Sequence, residues 1–180
     1  SGVRAPDADW ISDAREGVVI CDATSAVFAQ KLDWRKLDAV TFSWQKALGG
    51  EGAHGVLILS PRAVERLQSY APPWPMPKLF RMVKGGALNE AIFEGATINT
   101  PSMLCVEDYI DALKWGVGIG GLDAMCARAD ANLAVLEECI ADTPWADFLC
   151  AEPRLRSNTS VCIKIVDPRV RALSDEAQAE

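Results

Sequence analysis

Short apolar runs in the first sixty residues predict three β-strands. The first run, Gly17 to Cys21, is rich in β-branched residues and is typical of a strand buried on both faces. Ala39 to Trp44 and Val56 to Leu59 predict two further strands, and the polar stretch from Lys31 to Leu37 is expected to cross the surface between the first two. The chain therefore begins with strands that belong to one sheet.

Helical signals follow the third strand. Ser60 and Pro61 predict a helix start, because serine can cap the first turn and proline there gives up only an N–H without an intrahelical partner. Four prolines between Ala71 and Pro77 then exclude a helix or a central strand and predict an ordered loop.

The second half of the chain has a different pattern. A helix is predicted to start at Thr100-Pro101, with apolar residues at steps of three and four on one face: Met103, Val106, Ile110, Leu113 and Val117. Glycines 116, 118, 120 and 121 are expected to end it. Another helix is predicted from about Leu122 to Ile140, and Ser160 to Val166 predicts a strand of a different, half-exposed sheet. This shift indicates a large domain over residues 1–100 and the start of a smaller one over residues 101–180.

Composition narrows the class of protein. A net charge of −7 over 180 residues argues against nucleic-acid binding, which requires clustered Lys and Arg. The six cysteines form no C-x-x-C pair and the chain has one histidine, so no metal site is expected. Several cysteines lie in apolar stretches, which favours reduced thiols in a cytoplasmic protein. No apolar run is long enough to cross a bilayer, so no membrane partner is expected.

The candidate chemistry lies after the first two strands. Asp22 follows the first, Gln45 and Lys46 follow the second, and the glycine-rich stretch from Gly49 to Gly52 comes next. A carboxylate and a lysine at the rim of one sheet suit pyridoxal phosphate. The carboxylate would pair with the pyridine nitrogen, the lysine would form a Schiff base with the aldehyde, and nearby backbone N–H groups would help to hold the phosphate.

Each of these residues also has a simpler interpretation. Asp22 alone could cap a following helix through Thr24-Ser25, and Lys46 alone could be a surface lysine on a strand edge. A P-loop is disfavoured because the glycines follow the lysine instead of preceding it. For a nucleophilic role, we expect Lys46 to be buried at the strand end.

The remaining polar and aromatic residues carry weaker signals. His54 lies between glycines, where a structural or exposed histidine is more typical than a catalytic one. Arg154 and Arg156 could bind an anion, although a solvated pair is favoured. The six tryptophans are interpreted as core or interface residues.

Four segments resemble the phosphoserine aminotransferase family, in one order along nearly the whole chain. They are Asp22–Ser25, Thr41–Gly55 (TFSWQKALGGEGAHG), Phe93–Ser102 and Arg156–Cys162. The resemblance implies an α/β fold of the aspartate-aminotransferase type, used by pyridoxal-phosphate-dependent transferases. The chain would hold the second half of the large, mixed-sheet domain and the start of the small α+β domain.

The resemblance also implies roles for single residues. Lys46 would carry pyridoxal phosphate as a Schiff base, Asp22 would pair with the pyridinium nitrogen, and Gln45 would contact the cofactor phosphate. Asn99 and Thr100 would reach the phosphate of the partner subunit's cofactor, so the active site would be shared across a homodimer. The implied reaction transfers an amino group from glutamate to 3-phosphohydroxypyruvate, giving O-phosphoserine and 2-oxoglutarate in serine biosynthesis. A phosphorylated hydroxythreonine of vitamin B6 synthesis is a further family substrate.

The chain covers about half of a family member, so we expect an internal fragment that is inactive alone. The segments that bear the ring-stacking aromatic residue and the substrate-binding Arg and His would lie outside it. Two alternatives remain open. One is another enzyme of the superfamily, an alanine–glyoxylate-type aminotransferase or a cysteine desulfurase, although a desulfurase requires a cysteine on a flexible loop. The other is an inert fragment that keeps only binding or dimer contacts.

Overall fold

A three-stranded mixed sheet organises the first part of the chain, in a computed structural model that describes residues 2–179. Strand β1 (Ile20–Asp22) runs parallel to β2 (Ala39–Phe42), and β2 is antiparallel to β3 (Val56–Leu59). The register places Asp22 opposite Thr41. All three strands were predicted, with β3 at its predicted bounds and β1 starting three residues later than expected.

The prediction that the first strand is buried on both faces is wrong. Ile20 is 75% exposed, and Asp22 is exposed as well. The reason is that β1 lies at an edge of the sheet formed by the described residues, with β2 as its one neighbour there. The core is on the other side, where Ala23 and Val27 pack with Val40 and Phe42 of β2.

The predicted helix after β3 is confirmed. Helix α1 (Pro61–Ser69) begins after Ser60, whose hydroxyl accepts the N–H of Ala63 at 3.2 Å. The proline-rich segment that follows contains no helix or strand, as expected. Short elements that the sequence did not predict come next: 3₁₀ turns at Lys78–Phe80 and Glu90–Phe93, and a hairpin of β4 (Val83–Lys84) and β5 (Ala87–Leu88).

Two long helices form the centre of the second part. Helix α2 (Met103–Gly118) starts three residues after the predicted Thr100, because Ser102 is its cap. Helix α3 (Gly121–Ala141) agrees with the prediction. Gly116 does not end α2; it lies inside the helix, where an added Cβ would be 2.7 Å from Met125 Sδ of α3. The glycine therefore allows the two helices to pack closely.

The chain ends in a second small sheet and short helices. Strands β6 (Ala146–Phe148) and β7 (Ile163–Ile165) pair antiparallel, which confirms the half-exposed strand predicted there. A 3₁₀ turn (Pro153–Leu155) lies between them, and α4 (Pro168–Arg171) and α5 (Asp175–Ala179) follow. Over residues 2–179, no helix combines the length and the apolar character that a membrane span requires.

Candidate functional site

Asp22 lies at the carboxyl end of β1, and its carboxylate is held by Thr24. Oδ1 accepts hydrogen bonds from the Thr24 N–H at 3.0 Å and from the Thr24 hydroxyl at 2.7 Å. These two bonds hold the pKa of Asp22 below its ordinary value, against a smaller opposing effect of burial. Asp22 therefore starts a run of turns as a local cap, as one alternative suggested, and its carboxylate is ionised at neutral pH.

Thr24 also connects Asp22 to the segment that carries the lysine. The backbone N–H of Ser43, just beyond the end of β2, donates to Thr24 Oγ1 at 3.4 Å. We refer to residues 43–55, from Ser43 to Gly55, as the lysine loop. The aspartate and the beginning of this loop are thus joined through one threonine hydroxyl.

Lys46 is exposed, so the expectation of a buried lysine is wrong. The strand ends at Phe42, and Trp44 takes the buried position in the turn that follows, with 5% exposure. The Lys46 ammonium has no hydrogen-bond or ion-pair partner among residues 2–179, whereas Lys31 and Lys36 are both paired with aspartates. Lys46 is therefore available to a ligand.

The two candidate catalytic side chains line different cavities. Lys46 is at a cavity of about 220 Å³ with Phe28, Arg128 and Asn158. Asp22 is at another, of about 460 Å³, whose wall includes the N-terminal residues 3–11. Strands β1 and β2 bring Asp22 and Lys46 to the same end of the sheet. The described part of the chain does not enclose the two side chains in one pocket.

Local contacts explain the glycines at positions 49, 50 and 52 of the lysine loop. The N–H of Gly49 donates to Lys46 O and that of Gly50 to Trp44 O, both at 3.0 Å, so neither is free to hold a phosphate as predicted. A Cβ at Gly52 would collide with the Gln45 side-chain oxygen. Gly52 thus lets the exposed Gln45 side chain lie across the loop.

Asn99 and Thr100 lie in the segment before α2, and both are exposed. The lysine loop reaches that segment through His54, whose Nε2 accepts the N–H of Ser102 at 2.9 Å. Trp44 stacks on Tyr109 of α2, with ring centroids 4.5 Å apart. His54 therefore has a structural contact, in agreement with its structural interpretation, and Asn99 and Thr100 lie close in sequence to this contact with the lysine loop.

The sequence analysis missed two residues that support the turn after Asp22. Thr159 Oγ1 donates to Ser25 O at 2.7 Å, and Asn158 Nδ2 donates to Ala29 O at 2.9 Å. Between these carbonyls, Phe28 has a positive φ of 68°, a strained conformation for an aromatic residue. No local signal predicts these contacts, since Asn158 and Ala29 are 129 positions apart.

The expectation that Arg154 and Arg156 form a solvated pair is wrong for Arg156 and holds for Arg154. Arg156 forms an ion pair with Glu137 at 2.7 Å, and its guanidinium lies 4.1 Å from the centre of the Phe148 ring. It is therefore a structural residue that links α3 to β6. Arg154 is exposed.

The chain belongs to the class-V aminotransferase family, whose model matches residues 1–177. It is 59% identical over 165 residues to a phosphoserine aminotransferase of Methanosarcina mazei and 56% identical over 180 residues to that of Methanosarcina barkeri. These matches cover 92% and 100% of this chain but 45% and 47% of the relatives. The chain thus spans about half the length of these curated relatives.

The solved structures confirm the predicted fold. A phosphoserine aminotransferase of Trichomonas vaginalis, described with pyridoxal phosphate bound, superimposes with a TM-score of 0.71 at 19% identity. The match covers 99% of this chain and 45% of that one. The fold is that of the pyridoxal-phosphate-dependent aminotransferases, and the cofactor prediction is confirmed for the family.

The residues present fit that cofactor. Asp22 is ionised, and its Oδ2 accepts no hydrogen bond from the described residues, so it can accept one from a protonated ring nitrogen. Lys46 offers an unpaired amine beyond the neighbouring strand. Asp22 Oδ2 and the Lys46 amine, the two atoms that the predicted chemistry requires, thus have no competing partner among residues 2–179.

Proposed function

We propose that this chain forms the lysine-bearing half of a phosphoserine aminotransferase. The whole protein would transfer the amino group of glutamate to 3-phosphohydroxypyruvate, giving O-phosphoserine and 2-oxoglutarate for serine biosynthesis. Phosphohydroxythreonine of vitamin B6 synthesis would be a further substrate. The observation that supports this best is the pairing of β1 with β2, which brings an ionised Asp22 and an unpaired Lys46 to one edge of the sheet. The named relatives agree with it.

In this proposal Lys46 is the covalent anchor and the proton carrier. Its exposed amine would bind the cofactor aldehyde and be released when the substrate amine takes its place. The freed amine would then remove the proton from the substrate Cα and deliver it to carbon C4′ of the cofactor. Pyridoxal phosphate, when bound, supplies the electron sink that makes this Cα–H acidic.

Asp22 would keep the ring nitrogen protonated. Its carboxylate is fixed by two bonds from Thr24 on Oδ1, which leaves Oδ2 able to accept a hydrogen bond from the cofactor. A charge-assisted hydrogen bond between this oxygen and the ring N–H would favour the protonated form of the ring. The low pKa of Asp22 supports this role, because a protonated carboxyl could not supply the negative charge.

The phosphate would be held from two subunits. Gln45 would contact it from the lysine loop, and Asn99 and Thr100 would reach the cofactor of the partner subunit in a homodimer. Both side chains are exposed and make no hydrogen bond with the described residues, which supports this assignment.

We place the large domain at residues 1–100 and the interdomain helix with the start of the small domain at residues 101–180. We assign the enzyme to the cytoplasm.

A sulfur-transfer function is less well supported. A desulfurase needs a reactive thiolate on an accessible loop. Burial, with a smaller contribution from Asp22, raises the pKa of Cys21, and burial also raises that of Cys126. Both effects work against thiolate formation at these positions.

Peptide mapping after borohydride reduction tests the site. In the whole enzyme incubated with pyridoxal phosphate, the reduced, stable secondary amine is expected on Lys46 and is expected to disappear in Lys46→Ala. Turnover of that variant is expected to fall by roughly three orders of magnitude or more, because anchor and proton carrier are lost together. Lys31→Ala serves as the control and is expected to keep the adduct. An adduct on Lys31, Lys78 or Lys84 in the unmodified enzyme would refute the assignment.

Substrate identity requires a separate measurement. With glutamate as donor, kcat/KM is expected to be much higher for 3-phosphohydroxypyruvate than for glyoxylate, because the phosphate and carboxylate both contribute to binding. The reverse preference would favour the alanine–glyoxylate type.

A further inference from the structure

Helix α2 begins with an unusual cap, because its acceptor comes from the lysine loop. In a capping box, a Glu or Gln at the third helical position accepts the backbone N–H of the cap residue. Here the cap residue is Ser102 and the third helical position is Cys105, which cannot play that part. His54 supplies the missing acceptor from 48 positions away, with Ser102 N to His54 Nε2 at 2.9 Å.

This contact requires His54 Nε2 to act as a hydrogen-bond acceptor. Nε2 can accept the Ser102 N–H only when it is unprotonated, so the neutral ring carries its proton on Nδ1. A second contact joins the loop to this helix end, where Cys105 Sγ donates to the Glu51 carboxylate at 3.9 Å.

Aromatic packing also holds the His54 ring in place. The His54 ring lies against Trp44, with centroids 5.8 Å apart, and Trp44 is stacked in turn on Tyr109 of α2. Gly50 leaves room for this arrangement, since a Cβ there would collide with the Trp44 ring. The lysine loop thus holds the first two turns of α2 through two hydrogen bonds, from Ser102 to His54 and from Cys105 to Glu51, and through one aromatic stack.

The segment just before Ser102 has little else to hold it. From Thr97 to Ser102, the Ser102 bond to His54 is the one hydrogen bond to a distant residue that the described structure contains. Asn99 and Thr100 lie within this segment and are exposed. Their positions therefore depend on where His54 holds the start of α2.

We propose that His54 is a positioning residue that acts across the subunit interface. By accepting the Ser102 N–H it fixes the segment that carries Asn99 and Thr100, and so presents both side chains to the phosphate of the partner subunit's cofactor. This inference rests on the proposed function. It predicts that a change at His54 impairs cofactor binding in the neighbouring subunit more than in its own.

Two substitutions separate the hydrogen bond from the packing. His54→Phe keeps an aromatic ring against Trp44 but has no acceptor, whereas His54→Gln provides an amide oxygen. In the whole enzyme, the dissociation constant of pyridoxal phosphate, measured by titration of its absorbance, is expected to rise about fivefold in the Phe variant, equivalent to one ordinary hydrogen bond. The Gln variant is expected to stay within about twofold of the unmodified enzyme. Equal losses in both variants would contradict the role of the hydrogen bond.

Hybrid dimers test the direction of the effect. In the first hybrid, one chain carries both Lys46→Ala and His54→Phe beside an unmodified chain, and the remaining cofactor site is expected to bind weakly. In the second, one chain carries Lys46→Ala and the other His54→Phe, and the remaining site is expected to bind normally. Weak binding in the second hybrid alone, or equal binding in both, would overturn the proposal.

A further set of hybrids distinguishes a failure of the shared-site model from a failure of the role proposed for His54. The same hybrids are made with Asn99→Ala and Thr100→Ala in place of His54→Phe. If these substitutions have no effect on the neighbouring site, the shared-site model of the proposed function fails. If the Asn99 and Thr100 substitutions weaken cofactor binding at the neighbouring site and His54→Phe does not, the proposed role of His54 is refuted and the shared-site model stands. Amide hydrogen exchange at Ser102, expected to be faster in His54→Phe than in His54→Gln, confirms that the intended bond was removed.

Discussion

Thr24 shows how one side chain can determine the state of a candidate catalytic group. Its N–H and hydroxyl both donate to Asp22 Oδ1, and its hydroxyl oxygen also accepts the N–H of Ser43 at the start of the lysine loop. The sequence pattern identified Asp22 and Lys46, whereas Thr24 was considered only as part of a helix cap. The structure assigns it to holding the Asp22 carboxylate.

Replacing Thr24 is expected to change the pKa of Asp22 in a defined direction. Thr24→Val removes the hydroxyl bond, which is the largest cause of the lowered pKa, so the pKa of Asp22 rises toward its ordinary value. The acidic limb of the kcat/KM profile of the whole enzyme should then move to higher pH. Thr24→Ser keeps the hydroxyl and should retain the original profile. A profile that does not differ between the two variants would mean that Thr24 does not control Asp22.

At the scale of elements, Asp38 joins three parts of the first domain. Its buried carboxylate accepts from the Arg15 guanidinium at 2.9 Å, from the Val19 N–H at 2.8 Å and from the Ser60 hydroxyl at 3.0 Å. Asp38 is 3% exposed and Ser60 is the cap of α1. The segment before β1, the start of β2 and the start of α1 therefore share one carboxylate.

The stability of the fold is expected to depend on this carboxylate. Burial acts to raise the pKa of Asp38, but the bonds from Val19, Arg15 and Ser60 together lower it below its ordinary value. A carboxyl with a lowered folded pKa stabilises the fold above its unfolded pKa, and this contribution is lost as the pH falls through the folded value, below about pH 4.

Asp38→Asn tests this contribution. At pH 7 the variant is expected to lose about 3–5 kcal/mol of unfolding free energy, because Arg15 is left as an uncompensated, largely buried charge. Below about pH 4 the difference from the unmodified protein should shrink. Urea unfolding of the whole protein at both pH values measures it. Asp123→Asn, at an exposed ion pair with Lys31, is the control and should change the midpoint little.

At the scale of the whole molecule, large apolar side chains remain uncovered on two faces. Ile20 on β1 and Trp10 beside it are each 75% exposed, and Val117 on α2 is 77% exposed. Monomeric proteins rarely expose such surface without a partner. The chain also spans less than half of the relatives it matches, 45% and 47% of their lengths.

The 180-residue chain alone is therefore expected to aggregate or to remain partly molten. An exposed edge strand and uncovered apolar side chains favour association with other chains. Strong binding of ANS and a broad thermal transition should be observed, whereas the whole enzyme should give a sharp transition. Ile20→Thr, which keeps a β-branched residue, should slow aggregation. A monodisperse monomer of the chain with a cooperative transition would contradict this expectation.

The sequence by itself determined the strands, the long helices and the identity of the candidate site. Apolar runs rich in β-branched residues define β1 to β3 because such residues favour extended strands, and Ser60-Pro61 starts α1 because both residues suit the first turn. Asp22 and Lys46 were recognisable because a strand end followed by a charged residue is a local pattern. The resemblance to a family added a proposed role for each residue, and the membership of the class-V aminotransferase family is confirmed.

The tertiary structure decided which side chains are buried and which distant residues meet. Burial of β1 and Lys46 was predicted wrongly because it depends on what packs against a strand, and no local pattern contains that information. His54 meets Ser102 across 48 positions, and Asn158 meets Ala29 across 129. Such contacts arise only when the folded elements bring donors and acceptors together, so a single sequence does not reveal them.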